Sequence, residues 1–102
     1  MKTLFVVFTL CLSMCVFLAV AAAEDGKALY AKCQGCHGAD GSKTPMGVGK
    51  PIKGMSEADA FAALSGYKGM TYGGEKKAIM ESQAKGLSDD DMKALAKYIS
   101  TL

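Results

Sequence analysis

Three hydrophobic patterns succeed one another along the chain. From Leu4 to Val20 the residues are almost continuously apolar, interrupted only by Thr9 and Ser13, with Lys2 in front and Ala21-Ala22-Ala23 behind. From Asp25 onward the apolar positions fall at helical spacing. Leu29, Tyr30, Cys33 and Cys36 predict a first helix running from about Asp25 into the segment Cys33 to His37, and its acidic start suits the helix dipole. Between Gly38 and Gly54 the periodicity disappears, and the Gly, Lys and Pro content (Pro45, Pro51) predicts an irregular loop. Ser56-Glu57-Ala58-Asp59 reads as a capping box, with Phe61 and Leu64 on the buried side of a short helix that stops near Gly66. Gly73-Gly74 is expected to open another short helix, with Ile79 and Met80 inside it and Gly86 as its stop signal. Ser88 through Asp91 cap a last helix whose Met92, Leu95, Ala96 and Ile99 form one apolar stripe. No alternating or β-branched run suggests a strand, so the expected fold is all-α, with about four short helices.

The first pattern has the basic start, apolar middle and small-residue end of a secretory signal. Residues 1–23 are therefore expected to be a cleaved signal peptide, leaving 24–102 as the mature domain. Leu4 to Ala23 also approaches the roughly 20 residues that span a bilayer, so a membrane anchor formed by an uncleaved leader is the alternative. Leu12-Ser13-Met14-Cys15 has methionine where a lipobox wants a small residue, and Cys11 and Cys15 read as apolar filler.

Composition sharpens the picture of the remainder. At 102 residues the chain has room for one small domain, which excludes a two-domain enzyme. Nineteen of the 51 apolar residues lie in the first 23, so the other 79 positions hold only 32. The large ones there are few: Leu29, Leu64, Leu87, Leu95, Leu102, Ile52, Ile79, Ile99, Val48 and Phe61. All 12 glycines also lie after residue 23. A domain with so thin a core usually adds disulfides, a metal or a large bound ligand.

The segment Cys33-Gln34-Gly35-Cys36-His37 supplies the candidate chemistry. A disulfide between these cysteines would close only a tiny loop and restrain little of the unfolded chain. Structural zinc wants four ligands, and the mature chain offers three in one pentapeptide. A thioredoxin-like pair belongs in a βαβ pattern that is missing here. Cys-x-x-Cys-His is, however, the attachment signal for c-type haem: two thiols about one turn apart each add to a porphyrin vinyl group, and the next residue points its imidazole at the iron. His37 is the only histidine in the chain. A macrocycle with large apolar faces would also provide the burial that the side chains lack. For a second axial ligand, Met46 is too close to the motif and Met92 belongs to the last helix's stripe, so spacing leaves Met55, Met70 and Met80 open. Any of these could instead be core filler.

Gly26, Tyr30 and the Cys33 to His37 motif at one end, with Leu95 and Tyr98 at the other, resemble the crossing terminal helices of class I cytochromes c. The short length and the stretch from Tyr72 through Met80 are similar to the small monohaem c553 group of sulfate-reducing bacteria. The resemblance covers essentially all of residues 24–102. It implies a class I cytochrome c fold wrapped around one covalently bound haem c with its iron. Cys33 and Cys36 would form the thioethers, His37 the proximal ligand and Met80 the distal one. Gly26, Tyr30, Leu95 and Tyr98 would pack the helices. It further implies a periplasmic one-electron carrier, not an enzyme, and a monomer with no nucleic-acid partner. Its partners would be redox proteins: a periplasmic dehydrogenase or hydrogenase on one side, a membrane cytochrome complex or oxidase on the other.

Two rival functions use the same cofactor differently. A small haem peroxidase needs an open distal site with a positioned acid or base, and a ligand-sensing haem module needs its methionine displaced. Charge does not choose a partner: the formal net charge is +2, and without the leader 11 lysines face 10 acids. Lys43, Lys50, Lys53, Lys68, Lys76 and Lys77 lie in segments expected to border the haem, where they either steer an acidic partner or form an ordinary solvated surface.

Overall fold

The structure, a computed structural model, describes residues 25–102. The expected signal peptide, its cleavage point, Cys11 and Cys15 lie outside the described residues. Residues 25–30 are helical (α1) and lead through a turn to α2 (Gln34–His37), a 3-10 turn at Pro45–Gly47, α3 (Glu57–Lys68), α4 (Lys77–Lys85) and α5 (Asp89–Ile99). Among the described residues there is no strand, and the fold is all-α as the sequence predicts. None of the described helices is long and apolar enough to cross a membrane.

The first helix departs from expectation by breaking in two. Ala31 donates its N–H to the Ala28 carbonyl at 3.3 Å and Cys33 donates to Tyr30 at 2.8 Å. These three-residue hydrogen bonds tighten the chain into a turn over residues 31–33 and re-aim the segment from Gln34 to His37. Five helical segments result among the described residues, in place of about four.

The two Ser-initiated helices form for the reason their sequences suggest. Ser88 accepts from the Asp91 N–H while Asp91 accepts from the Ser88 N–H, a complete capping box with three aspartates in the first turn. At Ser56 only half of the box forms, with the hydroxyl accepting from the Asp59 N–H at 3.1 Å. α3 also runs past Gly66 to Lys68. Gly66 is a packing glycine inside the helix: a Cβ there would sit 2.6 Å from the Tyr72 Cβ. α4 begins at Lys77 and not at Gly73-Gly74, because Gly73 holds a φ of +109°, outside the helical region.

α3 packs on α5, and α4 packs on α3. The core between them consists of Tyr30, Ala60, Leu64, Met92, Leu95, Ala96 and Ile99. Of the ten large apolar residues counted from the sequence, only Leu64, Leu95 and Ile99 are buried, while Val48 and Ile79 are exposed. α1 crosses α5 at Gly26, where a Cβ would collide with the Ala94 carbonyl and lie 2.9 Å from the Tyr98 Cβ. The Tyr30 and Tyr98 rings meet beside this crossing, with centroids 5.3 Å apart.

Candidate haem-binding site

The single helical turn of α2 sets the geometry of the Cys-x-x-Cys-His motif. His37 donates its N–H to the Cys33 carbonyl at 2.9 Å, and Gly38 donates to Gln34 at 2.8 Å. Cys33, Cys36 and His37 thus stand at i, i+3 and i+4 and share one face. Cys33 is half-buried against the core, Cys36 is exposed and both thiols are free. The two sulfurs and the imidazole are presented together, on chain that the Tyr30 hydroxyl holds from behind by donating to the Gly38 carbonyl at 2.6 Å.

The irregular loop after the motif returns onto it. Lys43 donates to the His37 carbonyl at 3.1 Å, and Ile52 and Lys53 both donate to the Gly41 carbonyl, at 2.9 and 3.0 Å. Gly41 has a φ of +75°, and a Cβ there would press on Ile52 and on the Lys53 nitrogen at 3.0 Å. In the same loop Asp40 accepts from the Ser42 hydroxyl and N–H and pairs with Lys53 at 3.5 Å. These bonds hold the Asp40 carboxyl below its ordinary range.

The donor set discriminates among the groups it could hold. Burial lowers the pKa of His37, which keeps the imidazole neutral at neutral pH as iron ligation requires, and its Nδ1 is buried without a hydrogen-bond partner. Burial pushes the Cys33 thiol up, with Cys36 adding to the effect and Lys32 opposing it. A catalytic or zinc-binding cysteine needs the opposite shift. No group of three or more His, Cys, Asp and Glu able to hold a metal ion occurs among the described residues. Among the described residues the exposed large apolar side chains are Met46, Val48, Met70, Tyr72 and Ile79, all of which follow the motif in the chain. A neutral imidazole and two free thiols on one face, with exposed apolar side chains in the chain that follows, fit covalently attached haem.

The structure separates the methionines that spacing left open. Met70 is 69% exposed and Met46 58%, whereas Met92 is buried at 2% in the stripe of α5. Met55 and Met80 are half-buried, and both pack against the core cluster that also touches Cys33 and Leu29. Tyr67, outside the residues the sequence singles out, is half-buried and edge-on to Tyr72 with ring centroids 4.9 Å apart. Its place three residues after Leu64 extends the buried side of α3 and was the available signal. Glu81, next to Met80, is also outside those residues, and its Oε2 is buried without a partner. No periodicity points to that residue.

Residues 23–102 match the cytochrome c family, and the chain belongs to that family. With membership comes one covalently bound haem c and its iron, and an electron-transfer role in place of catalysis. Among individual proteins the chain is similar to cytochrome c-553 of Nitratidesulfovibrio vulgaris (strain DSM 19637 / Miyazaki F), at 49% identity over 102 residues that cover both chains completely. Cytochrome c-553 of Desulfomicrobium norvegicum is 48% identical over 77 residues, which is 74% of this chain and 94% of the relative. Cytochrome c-553 of Helicobacter pylori (strain 26695) is 44% identical over 91 residues, 89% of this chain and 92% of the relative.

Proposed function

We propose that residues 24–102 act in the periplasm as a monomeric one-electron carrier between redox proteins, after removal of residues 1–23 as a signal peptide. Cys33 and Cys36 form the thioethers, His37 is the proximal ligand and Met80 the distal one. The observation that carries this reading is the single face on which α2 presents both thiols and a neutral imidazole. The family match beginning at residue 23, where the apolar leader ends, supports the cleavage assignment.

When bound, the haem iron supplies a one-electron couple whose potential a thioether ligand raises. The chain's own work is to hold its ligands still. The Lys43 N–H holds the His37 carbonyl and the Tyr30 hydroxyl holds the Gly38 carbonyl after it, so the imidazole needs little rearrangement between oxidation states. Met80 is favoured over Met70 because its side chain already faces the core cluster, while Met70 points to solvent. Met55 shares that cluster and is separated from Met80 only by the family position. A closed pair of ligands leaves no site for substrate, and with His37 committed the chain has no second histidine to serve as a peroxidase's acid or base.

The dehydrogenase or hydrogenase that delivers electrons and the membrane complex or oxidase that takes them are partners by family analogy. The test uses the distal ligand. Met80→Ala in the holoprotein is expected to lose the sulfur-to-iron absorption band, lower the potential and let carbon monoxide bind. The same change at Met55 or Met70 is expected to do none of these. Loss of the band in Met55→Ala would move the ligand to that residue, and a wild-type protein that already binds carbon monoxide would overturn the carrier.

A further inference from the structure

α4 is a poor helix by itself. It has nine residues, its N-cap Lys76 makes no side-chain hydrogen bond, no acid lies in its first turn and only Ala84 is buried. Isolated helices of that length are marginal in water. Besides its direct packing on α3, two attachments hold its ends. At its far end the Lys68 ammonium donates to the Leu87 carbonyl. At its near end the chain leaving α3 folds back on itself. Met70 donates to Tyr67 at 3.1 Å and Thr71 to Gly66 at 2.8 Å, closing α3 with Met70 at a φ of +61°. A side-chain-bearing residue adopts that conformation only where its surroundings enforce it.

The fold-back lays Tyr72 across Gly66 and sets its ring edge-on to Tyr67, at an interplanar angle of 88°. Gly73, at a φ of +109°, then fits between Tyr67 and the first residue of α4. A Cβ there would lie 2.8 Å from the Tyr67 ring and 2.7 Å from the Lys77 Cβ. Met80 stands one turn beyond Lys77.

We propose that Gly66, Tyr67, Tyr72 and Gly73 form an aromatic clasp that sets the first turn of α4, and that they are positioning residues for the axial methionine. The proposal rests on Met80 being the distal ligand. The clasp acts on the sulfur through the backbone of α4: loosening it lets the first turn fray, and Met80 leaves its position before the rest of the bundle opens.

The test compares Gly73→Ala and Tyr72→Ala holoproteins with Gly86→Ala, where a Cβ meets open space at an ordinary φ. Heating is tracked by the sulfur-to-iron band and, in parallel, by helical circular dichroism, and carbon monoxide binding to the reduced protein is timed. In the clasp variants the band is expected to vanish at a lower temperature than the helix signal. Carbon monoxide binding is expected to quicken about two- to ten-fold, the range that losing an aromatic pair implies. The Gly86 variant is expected to behave as wild type. Should Gly73→Ala fail to accumulate as holoprotein, Tyr72→Ala carries the test, because that ring is half exposed. A band that melts together with the helices, or is unchanged in both variants, would overturn the clasp. Retention of the band in Met80→Ala would instead overturn the ligand assignment beneath it.

Discussion

Tyr30 joins three parts of the molecule with one side chain. Its ring is fully buried in the core, it meets Tyr98 of α5, and its hydroxyl donates to the carbonyl of Gly38, the residue after His37. Tyr30→Phe keeps the packing and removes the hydroxyl, leaving the Gly38 carbonyl only the longer bond from the Gly41 N–H at 3.3 Å, so the holoprotein is expected to lose about 0.5–1.5 kcal/mol at neutral pH. The same burial makes this contribution pH-dependent: it raises the phenol's pKa above its ordinary value, with Tyr98 and Asp40 adding smaller effects in the same direction. The native state therefore keeps Tyr30 protonated when the unfolded chain begins to ionise it, near about pH 10. The phenol's contribution is complete below that pH and is lost as pH rises through the raised native value. Denaturant unfolding of both proteins is expected to show a stability gap that narrows above about pH 10. A gap that stays constant would mean the hydroxyl is as well solvated in the native protein as in the unfolded chain.

At the scale of elements the glycines decide how well the chain could be read, because one residue type serves both as a stop signal and as a contact. Gly86 ends α4 as expected. Gly66 looks like the same signal but lies inside α3, where its missing side chain admits Tyr72 from six residues further on. Gly73-Gly74 looks like the start of a helix, yet Gly73 serves the turn before one. Nothing local distinguishes these cases, since the deciding neighbour arrives only with the fold. The break at residues 31–33 was hidden differently: Leu29, Tyr30, Cys33 and Cys36 keep helical spacing across a turn that tightens without losing a residue. Gly26 is the contact glycine with the most at stake, because it lets α1 reach α5. Gly26→Ala would drive a methyl group into the Ala94 carbonyl and Tyr98, backbone and a packed ring that have little room to give. Overpacking of this kind is expected to cost about 1–3 kcal/mol. The measurement is the thermal midpoint of the holoprotein, and a midpoint equal to wild type would mean that the two helices can separate slightly without penalty.

For the whole molecule, the legible part of the site is the part that is local in sequence. The proposed attachment residues Cys33, Cys36 and His37 can be picked out because the two thioethers and the imidazole proposed for them need only about one helical turn, five consecutive letters. The proposed distal ligand cannot be read from spacing, because the choice depends on which of several methionines the later helices carry back to the core; spacing admits three, and the fold turns Met70 outward. The shortage of core, in contrast, could be counted from composition, and it has a consequence for folding. Two of the seven residues in the central cluster are alanines, and Val48, Ile79, Met46 and Met70 lie on the surface. A domain of this size with so little apolar burial is marginal unless a bound group supplies the rest. Replacing Cys33 and Cys36 together with alanine removes both sites of covalent attachment while leaving the helices' caps and the α3–α5 contact intact. The resulting chain is expected to show weak helical circular dichroism and little cooperative thermal unfolding, because the remaining side chains bury too little surface to offset the ordering of the backbone. A sharp transition in that variant would show that the cluster around Tyr30, Met92 and Leu95 sustains the fold alone, and that attachment adds electron transfer to a domain already complete.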